Sequence, residues 1–399
     1  MYVFILAILF CIFLNYLSKK TKEKEQAKRR AELERMLKEK ASQSAAKPTP
    51  AAPKSTHATP KSTHATPKSV TINGVRFSKD GTVLEKYPSS RTDEKYEVPS
   101  CVTTIVNGAF FRCKSLKEIV LPDSVTTIWE SAFEGCTSLK EITLPDSVTT
   151  IGRCAFSGCT SLTEITLPDS VATIGHSAFS GCTSLTEITL PSSLTTIGCH
   201  AFDRCTSLKE ITLPGSLTTI GDYAFWRCTS LKHITVSEGN EHYCDIDGIL
   251  FSKDKTKLIY CPLGKEVVEY TVPDTVSKIC YMAFEGCTSL KEITLPSSVT
   301  TIEYNAFEGC TSLKEIVLPD SVTAVGRCAF SDCSSLEKIT IPRSVRKIGM
   351  AEERSDRSAL FGIHYFIACD LTFLDFRNNI KEVYYGGTAE EWQQAHVST

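Results

Sequence analysis

The sequence predicts a β-rich solenoid, in which short strands stack coil upon coil into an elongated, curved array. Three observations predict it. Phe110, Phe133, Phe156, Phe179, Phe202 and Phe225 stand 23 residues apart, and the series resumes at Phe284, Phe307 and Phe330. A cysteine follows each of them three residues later, at Cys113, Cys136, Cys159, Cys182, Cys205, Cys228, Cys287, Cys310 and Cys333. Apolar and polar residues alternate in the same short stretch of every copy, as in Glu164-Ile165-Thr166-Leu167. A fixed period in the twenties is the signature of a chain that builds its core by stacking copies.

The first 69 residues lie outside this pattern. Residues 2–17 are almost all apolar and predict a membrane anchor, slightly short of the roughly 20 residues that a helix needs to span a bilayer. A cleaved signal peptide is the competing expectation, but no basic stretch precedes the run and no small-residue cleavage site closes it. The basic run from Lys19 to Arg30 follows the span, and the positive-inside rule assigns that flank to the cytoplasm. Residues 21–41 mix both charges at helical spacing and predict a solvated helical spacer. Residues 42–69 hold two copies of KSTHATP, a Pro/Thr/Ser/Lys composition that reads as an extended stalk, in which His57 and His64 are polar positions rather than metal ligands.

From residue 70 the repeat logic applies. In Ser161–Pro168, Leu162, Ile165 and Leu167 fall at leucine-rich-repeat spacing, and the alternation aims Ile165 and Leu167 inward. Pro168 lacks an N–H and ends the strand. The following DSVATIG turns the chain, with Val171 and Ile174 inward, and Ala178 with Phe179 completes the coil. The apolar area of one coil cannot offset the entropy of ordering 23 residues, so neighbours must share the burial. Asn73–Leu84 matches Asp247–Leu258 at an offset of 174 that holds as far as Phe110 and Phe284. Each copy predicts a β-hairpin insert around Ser-Lys-Asp. The expected order is therefore a hairpin and capping coil over 70–109, a repeat block over 110–236, a second hairpin over 237–283, a second block over 284–348 and a C-terminal cap over 349–399. In that cap Thr388 and Glu391 fit a capping box opening a short helix, with Trp392 over the last coil.

The pattern C-x-S-L-x-x-I-x-L-P-x-S-V-x-x-I-G-x-x-A-F closely resembles the BspA-like leucine-rich repeat surface proteins, and so do the hairpin insert and the terminal Tyr-Tyr-Gly-Gly-Thr segment. The resemblance spans roughly residues 70–395. It implies a leucine-rich repeat solenoid, a place at the cell surface and the binding of host proteins or other cells. It brings no catalytic residues with it.

Composition excludes several functions. The segment through Lys68 holds 14 Lys/Arg against 5 Asp/Glu, whereas the remainder holds 30 against 41. An acidic body argues against a nucleic-acid partner, whose phosphates demand basic residues. The basic N-terminal segment suits an anionic membrane surface. No C-x2-C spacing supports a zinc site, and no nucleotide-binding or hydrolase motif occurs, so no metal, cofactor or small-molecule substrate is expected. The ladder cysteines read as buried thiols whose parallel side chains disfavour bridging; among the off-ladder cysteines Cys244 and Cys261 are open to a disulfide. A column of identical residues does not gather the unlike groups that catalysis needs, so the chain reads as a non-enzyme. What the columns offer is a surface. Glu118, Glu141, Glu164, Glu187 and Glu210, continued by Glu292 and Glu315, form an outward stripe beside Thr143, Thr166, Thr189, Thr212 and Thr235. Lys117, Lys140 and Lys209, adjacent in sequence, are expected to offset part of its charge. The expected function is protein–protein interaction through this strand face, by a membrane-anchored adhesin at the cell surface or, alternatively, by an intracellular scaffold on the cytoplasmic face of the membrane.

Overall fold

The protein is described from a computed structural model that covers residues 69–345, 347–348 and 382–386, together with Arg35. It is a β-solenoid, and the chain divides into two compact units, Met1–Cys182 and Thr183–Thr399. Apart from Arg35 and Ser69, the anchor, spacer and stalk, and the capping-box helix, fall outside the described residues.

In the first unit each coil contributes two strands. The expected one carries Glu-Ile-Thr: Lys95–Glu97, Glu118–Val120 and Glu141–Thr143 pair in parallel, with Glu118 opposite Glu141 and Ile119 opposite Ile142. The other lies where the sequence suggested only a turn. Thr104–Ile105, Thr127–Ile128, Thr150–Ile151 and Thr173–Ile174 form a second parallel ladder, with Thr150 opposite Thr173. Two residues are too few to show alternation, so this ladder is invisible in any single copy. Between the two sheets Leu162, Ile165, Leu167, Val171, Ile174, Ala178, Phe179 and Cys182 are all buried. The phenyl rings stack at 5.2 Å from Phe110 to Phe133 and from Phe133 to Phe156, and at 5.4 Å from Phe156 to Phe179. Offset stacking of this kind adds to plain burial.

The third side of the coil is closed by polar groups. Phe133 N–H donates to Ala155 O and Phe156 N–H to Ala178 O, each at 2.8 Å. The motif serine donates its hydroxyl to the preceding coil, Ser147 to Val125 O and Ser170 to Val148 O, each at 2.5 Å. The motif cysteine donates its thiol likewise, Cys136 to Phe110 O at 3.1 Å and Cys159 to Phe133 O at 3.2 Å. The serine hydroxyls thereby give Val125 O and Val148 O a donor, and the cysteine thiols add a second donor to Phe110 O and Phe133 O, which already accept from Cys113 N–H and Cys136 N–H. The corner before the core alanine is left-handed: Ser131, Cys154 and Ser177 have φ of 52–54°.

The hairpin inserts are larger than expected. Val75–Phe77 and Val83–Lys86 form the anticipated antiparallel pair, and Val70–Ile72 adds to Val75–Phe77 across Asn73-Gly74. Asn-Gly, with both residues at positive φ, is the turn that a tight hairpin demands. The result is a three-stranded meander, whose last strand pairs in parallel with Thr104–Ile105 and so starts the coil ladder.

The second unit repeats this design. Thr196–Ile197 pairs with Thr219–Ile220, and Glu210–Leu213 with His233–Val236. A second meander follows, Tyr243–Ile246, Ile249–Ser252 and Lys257–Tyr260, turning at Asp247-Gly248. Its last strand starts the ladder Lys278–Ile279, Thr301–Ile302, Ala324–Val325 and Lys347–Ile348. Phe284, Phe307 and Phe330 stack at 5.2 and 5.4 Å. Glu382–Tyr385 adds as a parallel strand to Lys338–Ile341. The segment read from sequence as part of a helical cap thus contributes a strand.

Candidate functional site

The outward stripe arises from strand geometry. Successive side chains point to opposite faces, so a buried isoleucine forces the flanking Glu and Thr outward. In the first unit Glu141, Glu164, Thr143 and Thr166 are exposed, and Glu118 is half-buried beside Lys95, whose Nζ lies 2.6 Å from its carboxylate. In the second unit Glu187, Glu210, Glu292 and Glu315 are exposed, as are Thr189, Thr212 and Thr235. Glu269 stands opposite Glu292 in the same column. Sequence reasoning missed it, although Glu269-Tyr270-Thr271 keeps the Glu-x-Thr alternation of the other copies.

Charge along the stripe is balanced at particular points. Glu315 meets Lys338 at 2.7 Å, as Glu118 meets Lys95 at 2.6 Å. Lys117 bonds Glu94, 23 residues earlier in its own column, at 2.6 Å rather than any glutamate of the stripe. Glu141, Glu164, Glu187, Glu210, Glu269 and Glu292 make no ion pair among the described residues. The face changes character after Glu315. Val317 stands opposite Thr340, and Thr340 opposite Tyr384. Val317 is 52% and Tyr384 50% exposed, and the Lys338 ammonium lies 5.5 Å from the centre of the Tyr384 ring.

The thiols give no reactive centre. All described cysteines are free, including Cys244 and Cys261. Cys261 is fully buried but stands off the cysteine ladder, as the sequence placed it: its N–H donates to Ala283 O at 2.8 Å, as the Phe307 N–H does to Ala329 O, so it occupies the place that phenylalanine takes in the following coils, whereas Cys244 turns its thiol to Ser252 O at 3.3 Å. Burial pushes the thiols of Cys182, Cys228 and Cys333 up to about 12. Among the described residues no group of three or more His, Cys, Asp or Glu is placed to hold a metal ion, and no helix is long and apolar enough to cross a membrane.

The motif that fixes this geometry also fixes the family. The profile of the BspA type leucine-rich repeat region matches residues 89–179, 149–262 and 260–352, in six copies. The chain belongs to the BspA-type leucine-rich repeat family. Solved structures similar to it include a leucine-rich cell-surface protein from Faecalibacterium prausnitzii, 26% identical, with a TM-score of 0.60 over 84% of this chain and 99% of that one. The pneumococcal vaccine antigen PcpA is 25% identical, with a TM-score of 0.63 over 82% of this chain and 89% of that one. A leucine-rich repeat protein from Eubacterium ventriosum is 27% identical, with a TM-score of 0.54 over 68% and 72%. No curated protein matches the chain. Membership of the BspA-type family makes protein–protein interaction the coarse function of the array; leucine-rich repeat proteins of this fold are typically binding proteins without enzymatic activity.

Proposed function

We propose that the chain binds a basic protein partner through its strand face, as an adhesin held at the cell surface by residues 2–17 and raised from the membrane by the stalk. The observation that carries this reading is the set of exposed glutamates in each unit that make no ion pair among the described residues, Glu141 and Glu164 in the first and Glu187, Glu210, Glu269 and Glu292 in the second. Like charges stacked about 5 Å apart repel one another. A partner presenting lysine or arginine relieves that repulsion, while Val317 and Tyr384 offer the apolar and aromatic contact on which interface energy concentrates. Many weak contacts along a repeated face add up to avidity. Replacing Glu141, Glu164 and Glu187 together by lysine is expected to weaken partner binding at least tenfold, with an unchanged circular dichroism spectrum. Unchanged affinity in a folded triple variant would sink the strand-face assignment.

A second reading, an intracellular scaffold on the cytoplasmic face of a membrane, is favoured by the basic flank after residue 17 and by the free thiols. Protease added to intact cells separates the two. Cleavage within the stalk without lysis supports the adhesin, and protection until lysis supports the scaffold.

A further inference from the structure

The second meander interrupts the regular stack and opens a cavity of about 490 Å³ within the second unit. Thr219–Ile220 pairs with Thr196–Ile197 on one side, but the next strand of the meander does not pair with it. The Tyr243 hydroxyl stands in for a strand partner, accepting from Ile220 N–H at 3.2 Å and donating to Thr218 O at 3.3 Å. The walls are aromatic, formed by Tyr223, Trp226, Tyr243, Tyr260 and Tyr281.

One polar group in the wall lacks a partner. Glu285 accepts from Trp226 Nε1–H at 3.1 Å through Oε1, while its Oε2 is buried and receives no hydrogen bond. Its neighbours in the lining are satisfied: Glu303 pairs with Lys278 and accepts from Tyr281 N–H at 2.7 Å. A buried oxygen without a donor points to a missing donor. The charges around it limit what that donor is. Asp222, Glu285 and Glu303 in the lining face Lys257 and Lys278, and the Arg227 guanidinium already lies 4.3 Å from the centre of the Trp226 ring. The site is close to neutral, and a further cation would meet Arg227. A hydroxyl donates to a carboxylate and accepts from a carboxylic acid, so it satisfies Oε2 in either protonation state, as an ammonium does not.

We propose that this cavity binds one neutral sugar ring of a glycan, with its C–H face against the aromatic walls and a hydroxyl on Glu285 Oε2. An apolar, aromatic lining with a few placed polar groups in a cavity of this size is the usual build of a small-ligand site. The site is separate from the strand face and does not depend on the reading above. It also departs from the expectation, drawn from the sequence, that no small molecule binds.

The test uses the full chain with Trp129→Phe and Trp392→Phe, so that Trp226 alone reports by its fluorescence. Neutral hexoses, N-acetylhexosamines and their disaccharides are titrated to about 10 mM, where a Kd of about 1 mM saturates. The expected result is a saturable change for at least one neutral sugar, weakened about tenfold or more by Glu285→Gln. Glu187→Gln, on the strand face and outside the lining, serves as a control that leaves the affinity unchanged, and matched thermal melts establish that each variant is folded. Arginine amide is the competing probe. No response to any neutral sugar, a response to arginine amide alone, or a sugar response that survives Glu285→Gln in a folded protein each overturns the proposal.

Discussion

A single repeat shows how much chemistry is concealed by uniformity. Ser170 and Cys159 look like a turn residue and a small hydrophobe, yet each donates a hydrogen bond to the coil before it. Nothing in the sequence signals this, because the acceptor carbonyls, on Val148 and Phe133, belong to residues 22 and 26 positions away. The inward residues, by contrast, are legible, since Ile165 and Leu167 alternate with Glu164 and Thr166 and recur at every period. Glu308 is a residue whose environment changes its behaviour. Burial, with Glu285 and Asp332 nearby, pushes its carboxyl up to about 7. A carboxyl raised in the folded state favours folding when protonated, so its contribution is fully present below the ordinary glutamate range and is lost as pH rises through about 7. Glu308→Gln is therefore expected to raise the melting temperature at pH 8 and to leave it nearly unchanged at pH 4. Equal shifts at both pH values would show that the carboxyl does not titrate in this window.

At the scale of the element, the short Thr-Ile strands bring the backbones of adjacent coils together. Gly175 lies directly after Thr173–Ile174, and a Cβ there would meet the carbonyl carbon of Gly152 at 2.7 Å and Arg153 N at 2.8 Å. These are backbone atoms, so the contact is relieved only by separating two coils. Gly175→Ala is expected to destabilise the array by about 1–3 kcal/mol, read by urea denaturation. A variant as stable as the parent would mean that the coils give way at little cost. The motif made this glycine visible but gave the wrong reason for it. It invites a turn reading, whereas its φ is not left-handed; the left-handed corner falls two residues later, on Ser177. The strand face was legible as a column, but the lysines that relieve it were not. Lys95 and Lys338 reach Glu118 and Glu315 only because the register places them one coil away. The cavity beside Tyr243 was hidden for a related reason, since it exists only where a ladder stops.

For the whole molecule, the period decides what the chain tolerates. Ladder partners such as Thr150 and Thr173 are 23 residues apart, so removing 23 consecutive residues brings equivalent atoms back into register. Removing 22 turns the Glu-Ile-Thr faces of the following coil inside out. Deleting 149–171 is expected to leave a cooperative thermal transition and an unchanged β-type circular dichroism spectrum, and deleting 149–170 to abolish the transition. Two variants that melt alike would show that register does not govern folding here. The thiol ladder has a further consequence. Disulfide exchange begins with a thiolate, and thiols pushed up to about 12 supply almost none at neutral pH. Once the array is folded, the buried thiols of Cys182, Cys228 and Cys333 are thereby withdrawn from exchange. At these three positions the folded interior is shielded from the oxidants and reductants around it.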